Sequence, residues 1–250
     1  METTYVVKET TDYDMFKYMI GNRCVERSRI KKIAADIEKH GQLNAIKVNE
    51  KYEIGDGQGR LAACRLLKIP IKYVVIPGLT IEDCIAMNST STNWTMLDYV
   101  ISYIERSTNA KVREAYRNIY SLITNKRYVS VITRSVIMRI CIKNGDKYVD
   151  VIQSGKAELK YSMEDTVKML DFILQFEETL KIVGKKNNYI RALVRAYNTR
   201  KINKDKLVKR CQAFQYMIHG VASVDEAQKI LENVYNYKCR NRIKFDEDVA

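Results

Sequence analysis

The spacing of hydrophobic residues changes character near residue 78. Before it, short β-branched runs alternate with helical segments; beyond it only helical periodicity remains. TTYVVK, residues 3–8, predicts a strand, and Asp12 to Ile20 predicts a short helix with Phe16, Met19 and Ile20 on one face. From Glu26 to His40, Ile30, Ile33, Ala34 and Ile37 recur at helical spacing and Gly41 follows as a stop, which predicts an amphipathic helix. Ala45 to Val48 and Lys51 to Ile54 read as a strand pair around Asn49. GDGQGR then opens into a helix over Leu61 to Leu67, and Ile69 to Ile76 reads as a closing strand. The order predicts a small α+β domain over residues 1–78.

Residues 79–250 are expected to be mainly α-helical. Thr80 with Asp83, Thr95 with Asp98, Ser162 with Asp165 and Ser223 with Glu226 each resemble a capping box in front of a periodic segment. Val112 to Thr124, Ser130 to Ile142, Tyr189 to Asn198 and Asp205 to His219 also carry helical periodicity. Ten glycines and two prolines in 250 residues leave little room for long turn-rich tracts, and 46% hydrophobic residues suffice for a sizeable core. Ile69 to Ile76 is interrupted by Lys72 and is far shorter than the roughly 20 apolar residues of a membrane helix, so no span is predicted. The opening METTYVVKETTDYD shows neither the basic start nor the apolar centre of a secretory signal, so a cytoplasmic location is expected. Cys24, Cys64, Cys84, Cys141, Cys211 and Cys239 form no CxxC pair, and with only His40 and His219 beside them no zinc site is expected.

Charge sharpens this picture. The net charge is +13, which suits a polyanionic partner, nucleic acid first and an anionic membrane surface second. Residues 106–147 hold ten basic and two acidic residues, and residues 185–210 hold ten basic and one acidic. The first window reads as two helices joined by NKRYV, the layout of a helix-turn-helix. Thr133, Arg134 and Arg139 would then face DNA, with Lys126 and Arg127 on phosphate. A plain helical hairpin with solvated cations is the alternative. In the second window Lys185, Lys186, Arg191, Arg195, Arg200 and Lys201 are the candidate DNA contacts, Arg191 and Arg195 sharing one helical face.

Three glycines, Gly55, Gly57 and Gly59, fall directly before a helix, where free amides and the positive end of the helix dipole suit a phosphate, and Arg60 adds a fork of donors. Around them, Asn22 and Arg23, then RIKKIAADIEKHGQLNAIKV, then YEIGDGQGRLAACRLLKIPIKYVVI resemble the ParB N-terminal and sulfiredoxin-like superfamily across about 55 residues. The DGQ-x-RLAA core looks most like ParB-like proteins of phages and mobile elements. MNSTSTNWTMLDY resembles the third stretch of that group, with Asn88, Trp94 and Asp98 as counterparts of residues on a helix that covers the ligand pocket.

The resemblance implies a ParB/sulfiredoxin-like α+β domain followed by a mainly helical region. It also implies a nucleotide or phosphate site at Asn22, Arg23, Gly55, Asp56, Gly57, Gln58, Gly59, Arg60 and Asn88, with CTP or ATP as ligand. Gln58 and Gly59 stand where sulfiredoxin has its cysteine and histidine, so that activity is not expected. They also replace the Glu-Arg of ParB's Gly-Glu-Arg-Arg turn, which leaves nucleotide binding open and argues against hydrolysis. No catalytic residue and no metal site are assigned, since Asp56 alone cannot organise a metal. The expected function is sequence-selective binding of double-stranded DNA, with a role in partition or transcription regulation; nucleotide at the turn would bias conformation or homodimerisation. A CTPase clamp or a ParB-like nuclease is the enzymatic alternative.

Overall fold

The strand pair expected around Asn49 forms because that side chain takes over bonds a tight turn leaves open. Its Oδ1 accepts from the amides of Lys51 (3.0 Å) and Glu53 (2.8 Å), and its Nδ2 donates to the Glu53 carboxylate at 2.7 Å. The flanking strands are β3 (Ile46–Val48) and β4 (Glu53–Asp56). A computed structural model describes residues 5–88, 94–184 and 186–245 of the chain. It shows an α+β protein in which these strands join β1 (Val7–Thr10), β2 (Lys17–Tyr18) and β5 (Ile71–Val75) in one sheet of order β1-β5-β3-β4-β2. β1 runs antiparallel to β5 with Val7 opposite Val74; β5 is parallel to β3 with Tyr73 opposite Ile46. β3 and β4 are antiparallel, with a register shift between Lys47 and Val48.

Helices α1 (Arg27–His40) and α2 (Gln58–Leu67) pack on each other and on the sheet. Their apolar stripes, Ala34 and Ile37 from α1 and Leu61, Ala63 and Cys64 from α2, bury against Ile46, Val48, Ile54 and Ile71. Gly41 ends α1 as expected, its amide donating to the Ile37 carbonyl at 2.8 Å.

The expected helix over Asp12 to Ile20 does not form. The Asp12 amide donates to Thr10 Oγ1 and the Asp14 amide to Asp12 Oδ1, local bonds that compete with a helical turn. The chain then pairs as β2, parallel to β4, with Lys17 opposite Glu53. Phe16 joins the sheet core while Met19 packs in a separate cluster with Leu79 and Cys84, so the helical spacing of these residues reflects two burial sites rather than one face.

The helices that follow are α3 (Ile81–Asn88), α4 (Met96–Arg106), α5 (Ala110–Thr124), α6 (Lys126–Val129), α7 (Arg134–Cys141), α8 (Tyr148–Gln153), α9 (Met163–Leu174), α10 (Glu177–Lys181), α11 (Lys186–Asn198), α12 (Lys204–Ala213) and α13 (Val224–Asn236). All four expected N-caps are present: the hydroxyls of Thr80, Thr95, Ser162 and Ser223 accept from the amides of Asp83, Asp98, Asp165 and Glu226.

The chain divides into two compact units, Met1–Glu114 and Ala115–Ala250. The sheet unit thus runs past residue 78, where the strand signal ends, to include α3 and α4. Cys84 of α3 is buried with Met19, and the Gly21 amide donates to Glu105 of α4 at 3.2 Å. In the second unit α11 lies between α9 and α13 and buries Tyr189, Ile190, Ala192, Leu193 and Ala196, with the Tyr189 hydroxyl donating to the His219 carbonyl at 2.7 Å. Among the described residues, no helix is long and apolar enough to cross a membrane.

Candidate functional site

Strand β4 ends at Asp56 and α2 starts at Gln58, so Gly57 makes the whole turn. It sits at φ 102°, and a Cβ there would approach Ile46 Cγ2 to 2.5 Å. Gly55 and Gly59 serve a different purpose, close packing. A Cβ on Gly55 would meet Leu79 at 2.5 Å and Cys84 Sγ at 2.7 Å, and one on Gly59 would meet Ile33 of α1 at 2.7 Å. Gln58 and Gly59 are buried. Arg60 turns back one helical turn, Nη2 meeting Asp56 Oδ2 at 2.7 Å, while its buried Nε has no partner. Asp56 and Arg60 line an open cleft of about 480 Å³ with Lys47, Asn44, Tyr5 and Ile76. An anion entering there meets a guanidinium of which one nitrogen, Nη2, is held by Asp56.

Asn22 acts on the backbone of this turn. Its Nδ2 donates to the carbonyls of Ile54 (3.2 Å) and Gly55 (3.1 Å), and its Oδ1 accepts from the Arg23 amide at 2.9 Å. Arg23 is half-buried; burial lowers its pKa, Arg29 acts in the same direction, and Asp98 and Asp56 oppose them. Arg23, Asp56, Arg60 and Asp98 are therefore one electrostatic cluster. Asp98 also closes the α4 capping box with Thr95. Trp94 is buried against Tyr99, ring centroids 5.3 Å apart, and its Nε1 has no partner among the described residues. The Asn88 side chain lies outside the described residues. Asn22→Ala removes both carbonyl bonds and is expected to cost about 1–2 kcal/mol, a fall of several degrees in melting temperature. A thermal melt checks it; an unchanged midpoint would show that the turn holds without this side chain.

The buried thiols are poor nucleophiles. Burial pushes Cys84, Cys141 and Cys211 each up to about 12, with Asp83 and Asp56 adding to the effect at Cys84. Among the described residues no group of His, Cys, Asp and Glu could hold a metal ion.

The basic residues divide by unit. Residues 115–250 carry 26 Lys and Arg against 15 Asp and Glu, so +11 of the +13 lies in the second unit. The window over residues 106–147 crosses the division, and Arg106 pairs with Glu82 in the first unit. NKRYV is itself a one-turn helix, α6, capped by Asn125, and α7 starts at Arg134, four residues later than Ser130. Thr133 is the N-cap of α7, and Arg134 Nε donates to the Ile123 carbonyl at 3.0 Å, tying α7 to the end of α5. Arg139, in the last turn, meets Asp146 at 3.0 Å, and Arg191 of α11 approaches the same oxygen to 3.7 Å. The two basic windows therefore touch at Asp146, a role that nothing in the sequence signals.

Other cations are also held by acids. Arg127 pairs with Asp171 at 2.8 Å, and Arg195 with Asp225 at 2.6 Å and with Gln228 at 2.9 Å. Among the described residues, Lys126, Lys186, Arg200 and Lys201 have no ion pair. Lys185 lies outside the described residues.

Fold and site define an α+β protein with a glycine turn leading into a helix and a separate basic helical unit. A solved structure titled as the C2221 form of a Pnob8-like ParB-N domain matches with 16% identity over 96% of this chain and 96% of that one, with a TM-score of 0.29. No family model matches the chain, and no curated protein matches it significantly.

Proposed function

We propose that the chain is a DNA-binding protein of ParB-like type, whose helical unit holds duplex phosphates and whose glycine turn takes the phosphates of a nucleotide, CTP or ATP. The observation that carries the reading is the concentration of +11 in the second unit, where the α7 and α11 cations meet at Asp146. Lys126, Lys186, Arg200 and Lys201, without acid partners among the described residues, hold phosphate. The start of α7, with Thr133 and Arg134, reads base edges as the second helix of a helix-turn-helix does. At the turn, Arg60 and Arg23 supply positive charge beside the α2 N-terminus, and a bound nucleotide biases the conformation of the chain.

A mobility-shift titration on random and selected duplexes at several salt concentrations tests the DNA reading. Affinity is expected to fall with salt at a log–log slope of about −0.9 per phosphate contacted. Absent or salt-insensitive binding sinks it. For the turn, CTP or ATP at about 100 times its dissociation constant should add roughly 2.7 kcal/mol to stability, and an unmoved melting curve with both removes the nucleotide.

A further inference from the structure

The geometry points to a second nucleic-acid site on the helical unit, a stacking platform for unpaired bases formed by Phe214, Tyr216 and Tyr237. It differs from the duplex-phosphate surface proposed above in residues and in ligand, and does not rest on it.

Helix α12 ends at Ala213, and the 3₁₀ turn Gln215–Met217 that follows carries Tyr216 into solvent, 74% exposed. Helix α13 ends at Asn236, and its C-cap Tyr237 comes back against Phe214, ring centroids 4.9 Å apart at 59°. Tyr216 packs edge-on to Phe214 at 6.2 Å and 80°. Three aromatic rings in contact, one of them largely exposed, are an unusual use of side chains that normally bury.

The charge around the rings selects the occupant. Arg210 lies 6.0 Å from the Phe214 ring and donates to the Tyr237 carbonyl, and Lys238 Nζ lies 5.4 Å over the Tyr237 ring. Residues 206–224 and 233–245, which meet where Phe214 touches Tyr237, hold seven Lys and Arg and no Asp or Glu. One exposed ring backed by two half-buried ones and flanked by cations matches an unpaired nucleic-acid strand, whose bases offer flat faces while its phosphates meet the cations. In a duplex those faces are hidden in the stack, so the rings would gain nothing from it.

The test uses the full chain and fluorescence anisotropy with four labelled probes: an oligothymidine of about ten nucleotides, within the site sizes of such surfaces, an abasic strand of equal length, an oligouridine, and a duplex. The oligothymidine is expected to bind about tenfold tighter than the abasic strand. Tyr216→Ala should erase that difference and leave duplex affinity unchanged, while Tyr216→Phe, which keeps the ring, should preserve it. Tyr216 is exposed, so the variants should melt like the parent. Oligouridine binding like oligothymidine, or better, supports the platform and shows that the sugar is not read. Equal binding of thymidine and abasic strands, no effect of Tyr216→Ala, or no binding of either strand overturns the proposal. Loss of duplex binding with the thymidine preference intact overturns the duplex reading alone.

Discussion

Gly145→Ala is expected to lower the stability of the helical unit by about 3 kcal/mol, the upper end of ordinary overpacking, and its melting temperature by about 10 °C. A Cβ on Gly145 would overlap the carbonyl oxygen of Arg139 and lie 2.7 Å from that residue's carbonyl carbon. Both partners are backbone: the 3₁₀ turn Gly145–Lys147 folds directly onto the last turn of α7, so no rotamer change relieves the clash. The neighbouring residue is Asp146, on which Arg139 and Arg191 converge. Pushing the turn outward therefore also draws Asp146 away from both guanidinium groups. Gly220→Ala is the control, since a Cβ there meets nothing within 4 Å; it should be neutral or stabilising by up to about 1 kcal/mol. Urea unfolding of the three proteins reads the difference, and a Gly145→Ala midpoint equal to the parent's would show that the turn opens at no cost.

The elements that depend on local chemistry were legible in the chain, and those that depend on distant partners were not. Each of the four hydroxyl caps precedes a helix because its bond spans three residues. β2 escaped a local reading because its partner, Glu53, lies far along the sequence from Lys17. The three glycines of the turn look alike in sequence, yet only Gly57 adopts a left-handed φ, while Gly55 and Gly59 yield space to Cys84 and Ile33. Charge behaved in the same way. The basic windows are visible as composition, but which cations stay open to a ligand depends on acids such as Asp171, 44 residues from Arg127, and Asp225, 30 from Arg195. The aromatic and basic surface around Tyr216 left no signal, because its two segments are short and meet only through the packing of α12 on α13.

Replacing Lys126, Lys186, Arg200 and Lys201 together by Gln is expected to weaken duplex binding on the order of a hundredfold to a thousandfold at physiological salt and to flatten the salt slope by about 3–4. The four are singled out because, among the described residues, no carboxylate pairs with them, so each can meet a phosphate without first giving up an ion pair. Arg139 and Arg191 are the opposite case, since Asp146 already screens both. Asp146→Asn removes that charge and frees two guanidinium groups, so it should tighten binding several-fold and steepen the slope by up to about 2. Both models give the two variants opposite signs, so the ratio of the slope changes distinguishes specific availability from bulk charge: a general dependence on net charge makes the Asn change one quarter of the Gln change, whereas two freed guanidinium groups make it about half. Stability should move little in the Gln variant, within about 0.5 kcal/mol per site, because Lys126, Arg200 and Lys201 are exposed and Lys186 is only half-buried. An unaltered slope in the Gln variant would place the duplex elsewhere on the protein.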